Sequence, residues 1–313
     1  MNKFALVFPG QGSQSVGMLQ SFASSKSVRN TFAEASDTLK QDLWRLADEG
    51  PADALNSTIN TQPLMLTAGY AIYRAWREAG GPHPAVVAGH SLGEYTALVA
   101  AGVIAFGEAL PLVRFSAQAM QDAVPVGAGA MAAIMGLGDD AVRAVCRDAA
   151  QGEVVEAVNF NAPSQVVIAG HRAAVERGAA AAKALGAKRA VILPVSAPFH
   201  SSLLQPAARR LEQYLADVTF KAPQLPVVNN VDAAIIDDPQ LIKNALARQA
   251  CNPVRWVEII RHMARSGITH LAECGPGKVL AGLTKRIDGA LQGLAIADAA
   301  SLTQAAETLR QAA

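Results

Sequence analysis

Residues 84–97 have the sequence PAVVAGHSLGEYTA, in which a short apolar run leads into a glycine-flanked turn and then into an alanine-rich segment. The run 85–89 predicts a buried strand, and the segment that begins at Gly93 predicts a helix. A strand, a tight turn and a helix in that order form the repeating unit of a parallel sheet flanked by helices. This stretch therefore predicts an α/β fold.

The centre of the turn, Gly89-His90-Ser91-Leu92-Gly93, matches the pattern G-x-S-x-G. In such a turn the glycines let the backbone bend sharply, and the serine hydroxyl is exposed at the carboxyl end of the strand. Ser91 is therefore a candidate nucleophile. A purely structural turn is the alternative, and it stays open at this point because so short a pattern also occurs by chance.

The composition excludes several classes of protein. The chain has 313 residues, 51% of them hydrophobic and 17% charged, so it can bury one large core or two closely joined ones. Its 27 basic and 26 acidic residues give a net charge of +1, which favours neither nucleic acid nor an anionic membrane as a partner. Every apolar stretch is interrupted before it reaches ~18 residues, so we expect no membrane-spanning helix. We interpret the first apolar run, 4–8, as a strand and not as a targeting segment.

Neither a metal nor a permanently bound cofactor is expected. Cys146, Cys251 and Cys274 are odd in number and scattered, with no C-x-x-C pair, which favours a reducing compartment such as the cytoplasm and argues against a zinc site. The G-x-G-x-x-A match at 127–132 precedes a predicted strand instead of following one, so it does not predict a dinucleotide site. The GPGK segment at 275–278 lacks the spacing of a phosphate loop, and we interpret it as a turn before a helix.

The order of the predicted elements divides the chain into two parts. Strands alternate with helices over 1–125 and 198–313, which predicts one large α/β core with a parallel sheet. Residues 126–197 follow the order β-α-β-β-α-β, which predicts an inserted ferredoxin-like subdomain. Its predicted strands are 130–137, 154–159, 165–169 and 188–195, and its predicted helices are 139–150 and 173–185. In the large core the predicted strands are 4–8, 85–89, 227–230 and 270–273, and the predicted helices are 62–78, 106–122, 239–249, 254–266 and 279–287.

A catalytic Ser91 needs a base within hydrogen-bond reach, and the chain has six histidines. His200 follows a predicted strand at the rim of a sheet, where catalytic side chains gather, and His270 is the second candidate. His90 adjoins the serine, but strand alternation predicts that its side chain points away from that of Ser91. The sequence pattern alone favours His200 over His270 without excluding the latter.

Attack by a serine also requires donors for the oxyanion that forms. The N–H of Leu92, which follows Ser91 at a helix N-terminus, is the natural first donor. A second N–H could come from the glycine-rich turn FPGQGSQ at 8–14, because its glycines permit close approach. The alternative is that this turn only connects a strand to a helix.

Seven motifs occur in a fixed order along nearly the whole chain, and together they resemble bacterial malonyl-CoA:acyl carrier protein transacylases of type II fatty acid synthesis. They are FPGQGSQSVGM at the start, QPLMLT at 62–67, GHSLGEYTALVAAG, SAPFHSSLL, VVNNVD, NPVRW and GPGKVLAGLTKRI. The resemblance implies an α/β-hydrolase-like core with a ferredoxin-like insertion. This is consistent with the parallel α/β core and the ferredoxin-like insertion that the order of elements predicts.

The resemblance also implies roles for individual residues. It implies a Ser91–His200 dyad in which the backbone carbonyl of Gln249 orients His200 in place of a triad carboxylate. The oxyanion donors would be the main-chain N–H groups of Leu92 and Gln11. A further residue, Gln62, would lie near the acyl pocket.

The implied reaction transfers malonyl in two steps through an acyl-serine. The substrate is a coenzyme A thioester, and the acceptor is the phosphopantetheine thiol of an acidic acyl carrier protein. Two basic pairs are candidates for the surface that binds this partner: Lys188 with Arg189, and Lys285 with Arg286. Such short pairs are more often only solvated charges.

One position departs from the family pattern. The family binds the malonyl carboxylate with an arginine on the helix after the turn, and the matching residue in LPLVRFSAQAMQ is Ser116. Arg114 lies two residues earlier and is predicted to point to the other side of the helix. Phe199, before His200, resembles the version found in malonyl-selective relatives. Three explanations stay open: a replacement in an ordinary malonyl transferase, a preference for a neutral acyl group such as acetyl, or another basic group that reaches the carboxylate.

Two further functions use some of the same residues. A serine thioesterase or acyl hydrolase would share the dyad and the oxyanion donors but admit water to the acyl-enzyme. A non-catalytic protein that only binds the carrier is disfavoured, because every expected dyad and oxyanion position is filled.

Overall fold

The computed structural model describes residues 3–312 of the chain, and in this part the strands form two separate sheets. In chain order the strands are β1 Lys3–Phe8, β2 Val86–Gly89, β3 Gly129–Met135, β4 Val155–Ala162, β5 Gln165–His171, β6 Arg189–Ile192, β7 Val227–Val228, β8 Ile268–Cys274 and β9 Gln292–Ile296. The larger sheet has the order β7-β2-β1-β8-β9, and all of its pairings are parallel. The predicted α/β fold with a parallel sheet is confirmed.

Helices cover both faces of the larger sheet and one face of the smaller. The helices are α1 Lys26–Leu39, α2 Leu43–Glu49, α3 Ala52–Asn56, α4 Thr58–Glu78, α5 Gly93–Ala100, α6 Phe106–Ala123, α7 Asp139–Ala150, α8 Arg172–Ala184, α9 Gln205–Ala216, α10 Pro239–Gln249, α11 Trp256–Arg265, α12 Val279–Ile287 and α13 Ala299–Ala312. Side chains of β1 alternate between the two faces: Leu6 and Phe8 join one core cluster, and Ala5 and Val7 join the other. Within residues 3–312 no helix is long and apolar enough to cross a membrane.

The smaller sheet has the order β4-β5-β3-β6, and its pairings are antiparallel. With α7 between β3 and β4 and α8 between β5 and β6, this is the ferredoxin-like arrangement that the sequence predicts. Both helices pack on one face of the sheet. The other face packs against the large core through Met131 of β3, Met120 of α6 and Phe199. We propose the division of the chain into 126–197 as the small subdomain and 1–125 with 198–313 as the large core.

Two predicted strands end earlier than their apolar patterns indicate. The strand predicted at 188–195 ends at Ile192, because Pro194 has no N–H to donate to a neighbouring strand. The strand predicted at 227–230 ends at Val228. The next two residues form hydrogen bonds outside the sheet. The N–H of Asn229 donates to the Ala234 carbonyl, and the N–H of Asn230 donates to the Glu94 carboxylate.

Several elements have no counterpart among the predicted ones, namely α1, α2, α3, β9 and α13. The strand β9 is five residues long and contains Gly293, which weakens any sequence signal for a strand. That glycine has a packing role, since a Cβ there would lie 2.4 Å from the Ala281 carbonyl oxygen of α12. The helix predicted at 62–78 begins four residues earlier, at Thr58, and contains Pro63 within its second turn.

The turns that follow β1 and β2 lie in contact at the carboxyl edge of the larger sheet. A Cβ at Gly89 would lie 1.8 Å from the backbone of Gly93, and one at Gly93 would lie 2.1 Å from the Phe8 carbonyl oxygen. A Cβ at Gly10 would lie 2.5 Å from the His90 carbonyl oxygen. Glycine is required at these positions because the main chains approach too closely for any side chain.

Gly89→Ala should therefore destabilise the protein by about 3 kcal/mol, since the added methyl group can only be accommodated by moving backbone. The measurement is urea unfolding followed by circular dichroism. Gly107→Ala in α6 is the matched control: a Cβ there meets nothing within 4 Å, and the stability should stay the same or rise slightly. Equal unfolding midpoints for Gly89→Ala and the parent would contradict the packing argument.

Candidate active site

Ser91 lies at the tip of the turn between β2 and α5 with a φ of 54°, a left-handed conformation that is uncommon outside glycine. Asn230, fully buried beside the turn, holds this backbone in place. Its side-chain oxygen accepts a 2.7 Å hydrogen bond from the Ser91 N–H, and its side-chain nitrogen donates a 2.6 Å bond to the Gly89 carbonyl. The side chain of Asn230 thus satisfies the main chain on both sides of His90 and fixes the direction of the Ser91 hydroxyl.

His200 meets Ser91 from the segment between β6 and α9. Its Nε2 lies 2.7 Å from Ser91 Oγ, and its Nδ1 lies 2.8 Å from the carbonyl oxygen of Gln249 at the end of α10. A carbonyl oxygen only accepts, so the neutral ring carries its proton on Nδ1 and donates it to Gln249. The lone pair of Nε2 is then free to accept the hydroxyl proton of Ser91. Burial lowers the pKa of His200 to about 4, and the hydrogen bond to Gln249 opposes part of this shift.

Gln249 bonds to both Ser91 and His200, and Glu94 bonds to Gln249. The Gln249 side-chain nitrogen donates a 2.7 Å bond to the Glu94 carboxylate and a 3.1 Å bond to the Ser91 carbonyl, while its own carbonyl holds His200. Burial raises the pKa of Glu94 to about 7, and the bonds from Gln249 and Asn230 work against that rise. The sequence argument missed Glu94 and Asn230, although both lie inside quoted motifs, GEY and VVNNVD.

Two residues with candidate backbone N–H donors, Leu92 and Gln11, line the same cavity as Ser91. Leu92 follows the serine directly and is the N-cap of α5, so its N–H lies at the positive end of that helix. Gln11 lies in the turn after β1. The close approach of Gly10 to the His90 carbonyl places this turn against the turn that carries Ser91. Neither N–H donates a hydrogen bond to any group within residues 3–312. Such free donors are suited to bind a developing oxyanion.

A cavity of about 120 Å³ opens at the Ser91 hydroxyl. Every residue for which the sequence predicts a site role lines it: Gln11, Gln62, Ser91, Leu92, Ser116, Phe199, His200 and Gln249. The remaining lining is largely apolar and includes Met120 and Met131. A partly apolar cavity lined by a paired serine and histidine can hold a short acyl group for transfer.

The surroundings of Ser116 bear on the explanation in which another basic group reaches the acyl carboxylate. Ser116 is buried beside Tyr95, whose phenol pKa is raised by burial and lowered in part by the Ser116 hydroxyl. Arg114 points away from the cavity and donates hydrogen bonds to the Leu39 carbonyl and to the Gln41 side chain. No lysine or arginine occurs among the described residues that line the cavity. The explanation in which another basic group reaches the acyl carboxylate is therefore not supported.

The other two histidines considered for the site have different surroundings. His270 lies on β8, buried in the larger sheet, and its Nδ1 is 2.8 Å from the Thr269 hydroxyl; it does not line the cavity. His90 also lines the cavity, and its side chain bonds to a group other than Ser91. Its Nε2 donates to the Asn161 side chain at 2.8 Å, and its ring packs edge-on against Trp256.

Comparison with known proteins identifies the family. The sequence profile described as "Acyl transferase domain" matches residues 5–301. The chain belongs to the acyl transferase family. It is 55% identical over 308 residues to the malonyl CoA-acyl carrier protein transacylase of Escherichia coli K12, an alignment that covers 98% of this chain and 100% of the relative.

Solved structures give the same result. An acyl-carrier-protein S-malonyltransferase from Burkholderia pseudomallei superposes with a TM-score of 0.96 at 66% identity, covering 97% of this acyl transferase and 99% of that chain. A malonyl-transacylase in complex with its type II PKS acyl-carrier protein superposes with a TM-score of 0.97 at 52% identity, covering 98% and 100%. The family predicted from the sequence motifs is confirmed.

Residues 3–312 of this acyl transferase contain no group of three or more histidine, cysteine, aspartate or glutamate side chains arranged to hold a metal ion. The three cysteines are free, with Cys146 and Cys274 buried. Burial raises the pKa of the Cys146 thiol to about 12, which leaves it protonated and unreactive at neutral pH. None of the three cysteines is among the described residues that line the cavity, whereas Ser91 lines it and has the His200 imidazole beside its hydroxyl.

The low pKa of His200 predicts the pH dependence of acyl transfer to Ser91. Above about pH 5 the ring is neutral and can accept the hydroxyl proton; as the pH falls through about 4 it becomes protonated and the reaction stops. The acylation rate of Ser91 by a p-nitrophenyl ester should therefore stay flat well below pH 6.5 and halve near 4. Near-UV circular dichroism at each pH controls for unfolding. Half-loss at about pH 6.5, the value of a free imidazole, would contradict this assignment.

Proposed function

We propose that this acyl transferase moves a malonyl group from coenzyme A to the phosphopantetheine thiol of an acyl carrier protein, in fatty acid biosynthesis. The observation that carries the proposal is the 2.7 Å contact between Ser91 Oγ and His200 Nε2 in the lining of the cavity. The malonyl transferases and transacylases to which the chain is similar are named for this reaction.

In the first half-reaction His200 accepts the Ser91 hydroxyl proton through Nε2 as Oγ attacks the thioester carbonyl. Negative charge develops on the carbonyl oxygen, and the N–H groups of Leu92 and Gln11 bind it. The tetrahedral intermediate collapses, the carbon–sulfur bond breaks, and the imidazolium returns its proton to the coenzyme A thiolate. A malonyl ester of Ser91 remains in the cavity.

In the second half-reaction the carrier's phosphopantetheine thiol occupies the place that coenzyme A has left. His200 takes the thiol proton, the thiolate attacks the ester carbonyl, and the same two N–H groups bind the new oxyanion. When the carbon–oxygen bond breaks, Ser91 Oγ recovers its proton from His200. Coenzyme A is thus a substrate that enters and leaves, and no resident cofactor takes part in any step.

The register of the small sheet supports a docking surface for the carrier protein. Met135 of β3 pairs with Gln165 on one side and with Arg189 on the other, so these residues form one row across the sheet. Gln165 accepts a 2.5 Å hydrogen bond from Arg286 of α12. Arg189 and Arg286 therefore lie at the same end of the small sheet, and each follows an exposed lysine, Lys188 or Lys285. Positive charge at this end of the sheet suits an acidic partner.

We also propose a cytoplasmic location, which suits three free cysteines and a coenzyme A thioester as substrate. Nucleic acid and membrane surfaces are not proposed as partners, in keeping with the near-zero net charge.

A second candidate function is transfer of a neutral short acyl group such as acetyl. The observation that favours it is the absence of lysine and arginine from the described cavity lining, with Ser116 at the position where the family pattern has an arginine. A free carboxylate in such a cavity lacks a charged partner, and loss of a charge-assisted bond costs about 1.5–3 kcal/mol. The dyad chemistry is the same for either acyl group.

The reaction is tested by incubating the protein with malonyl-CoA, measuring intact mass, and then adding phosphopantetheinylated carrier protein. The parent should gain one malonyl group at Ser91 and pass it to the carrier. Ser91→Ala should do neither, because it lacks the nucleophile. Ser266→Ala, which removes an exposed hydroxyl far along the chain, is the control and should behave as the parent.

If the protein forms no acyl adduct with either malonyl-CoA or acetyl-CoA, the acyl transferase mechanism at this serine is overturned. An adduct lost to water as fast as to the carrier would assign the protein to the serine thioesterases or acyl hydrolases instead.

Ser116→Arg should raise the preference for malonyl over acetyl loading by about 10- to 150-fold, because a guanidinium can bind both carboxylate oxygens. The measurement is the ratio of Ser91 acylation rates with the two coenzyme A thioesters. Ser116→Ala is the matched control, since it removes the hydroxyl without adding charge, and its ratio should stay near that of the parent. An unchanged ratio in Ser116→Arg would show that this position does not set the acyl preference.

A further inference from the structure

A carboxylate of the small subdomain, that of Glu156, accepts two hydrogen bonds from Ser202, in the segment that follows His200. Glu156 lies on β4, at the edge of the small sheet. One of its carboxylate oxygens accepts a 2.7 Å hydrogen bond from the Ser202 N–H, and the other accepts a 2.8 Å bond from the Ser202 hydroxyl. Ser202 is two residues beyond His200 and opens the short 3-10 turn Ser202–Leu204.

The backbone at His200 needs such support. Its φ is 66°, a left-handed conformation that is unfavourable in a non-glycine residue and persists only where the surroundings enforce it. On the N-terminal side the segment is held by its own bonds, such as the 2.7 Å bond from the Ser201 hydroxyl to the Pro198 carbonyl. Beyond His200, the two bonds to Glu156 join the segment to a strand 46 residues away in sequence.

The two hydrogen bonds of the His200 ring are sensitive to the position of the His200 backbone. The ring of His200 must present Nε2 to Ser91 and Nδ1 to Gln249 at the same time, at 2.7 and 2.8 Å. Both bonds come from one side chain, so a small shift of its backbone lengthens at least one of them. A displacement of about 1 Å at a reacting group can cost on the order of 100-fold in rate.

We infer that Glu156 is a positioning residue for the acyl transfer reaction: its carboxylate holds the Ser202 turn and thereby the strained backbone of His200 against Ser91. Glu156 contacts neither substrate nor reacting atom in this role. It also makes the placement of the base depend on the packing of the small subdomain against the large core. The inference rests on the proposed function, since it concerns the same two half-reactions.

The test compares Glu156→Ala, Glu156→Gln and Ser202→Ala with the parent in single-turnover acylation of Ser91 by malonyl-CoA and by acetyl-CoA. Glu156→Ala removes both bonds and should slow acylation by roughly 10- to 100-fold at saturating donor, with little change in the donor concentration for half-maximal rate. Glu156→Gln can still accept from the Ser202 N–H and donate to its hydroxyl, so it should recover the rate to within ~5-fold. Ser202→Ala keeps the N–H bond and should lie between the two.

The pH profile separates positioning from a general loss of stability. In Glu156→Ala the His200 turn is released towards solvent, so the acidic limb of the acylation rate should move up from about 4 towards 6.5. Glu153→Ala is the matched control. It removes a carboxylate near the start of the same strand, one that pairs with Arg177 at 2.8 Å and does not bond to the His200 turn, so both rate and profile should match the parent.

Parent-like acylation in Glu156→Ala, or a loss explained entirely by its unfolded fraction in a thermal melt, would overturn the inference. If Glu156→Ala does not fold, Ser202→Ala carries the test, with Glu156→Gln as the rescue variant, and a parent rate with a parent pH profile in Ser202→Ala would overturn the inference equally. Failure of the proposed function looks different, because the parent itself would then form no acyl-Ser91 with either donor.

Discussion

The hydrogen bond from His200 Nδ1 to the Gln249 carbonyl oxygen is the interaction on which the site depends. A carbonyl oxygen has no proton to give, so this bond places the imidazole proton on Nδ1 and leaves the Nε2 lone pair directed at Ser91. Without a fixed acceptor the ring could hold its proton on either nitrogen, and only one arrangement can deprotonate a hydroxyl. A main-chain group performs the orienting role that a carboxylate has in many serine enzymes, and it adds no charge.

The side chain of Gln249 extends the same control to the nucleophile. It bonds to the Ser91 carbonyl and to the buried carboxylate of Glu94, which in turn accepts the N–H of Asn230. Asn230 holds the Ser91 N–H. A closed set of hydrogen bonds therefore joins the end of α10, the start of α5 and the residues after β7. Buried polar groups of this kind stabilise one arrangement only when every member is satisfied, which explains how Ser91 keeps its strained backbone.

The sequence predicts the parts of the structure that depend on local patterns. The alternation of strands and helices was enough to predict the parallel sheet and the ferredoxin-like insertion. The order of the motifs was enough to predict the family. Residues predicted for the site through the resemblance lie around one cavity, although their roles stay predictions. The parts that were missed are set by contacts between distant residues. No local pattern shows that Glu94 bonds to Gln249, that Glu156 bonds to Ser202, or that β9 with its glycine packs against α12. Pro194 was visible in the sequence, and its missing donor should have shortened the predicted strand.

The use of a single cavity for both half-reactions has a consequence for the direction of flux. Coenzyme A and the carrier present the same phosphopantetheine thiol, so the thioester that is broken and the thioester that is formed are chemically alike. His200 gives a proton to one thiolate and takes one from the other by the same Nε2, with the same two N–H groups on the oxyanion. The overall exchange is then close to thermoneutral and fully reversible. The relative concentrations of the two thioesters, and how quickly the next enzyme consumes the product, decide which way the acyl group moves.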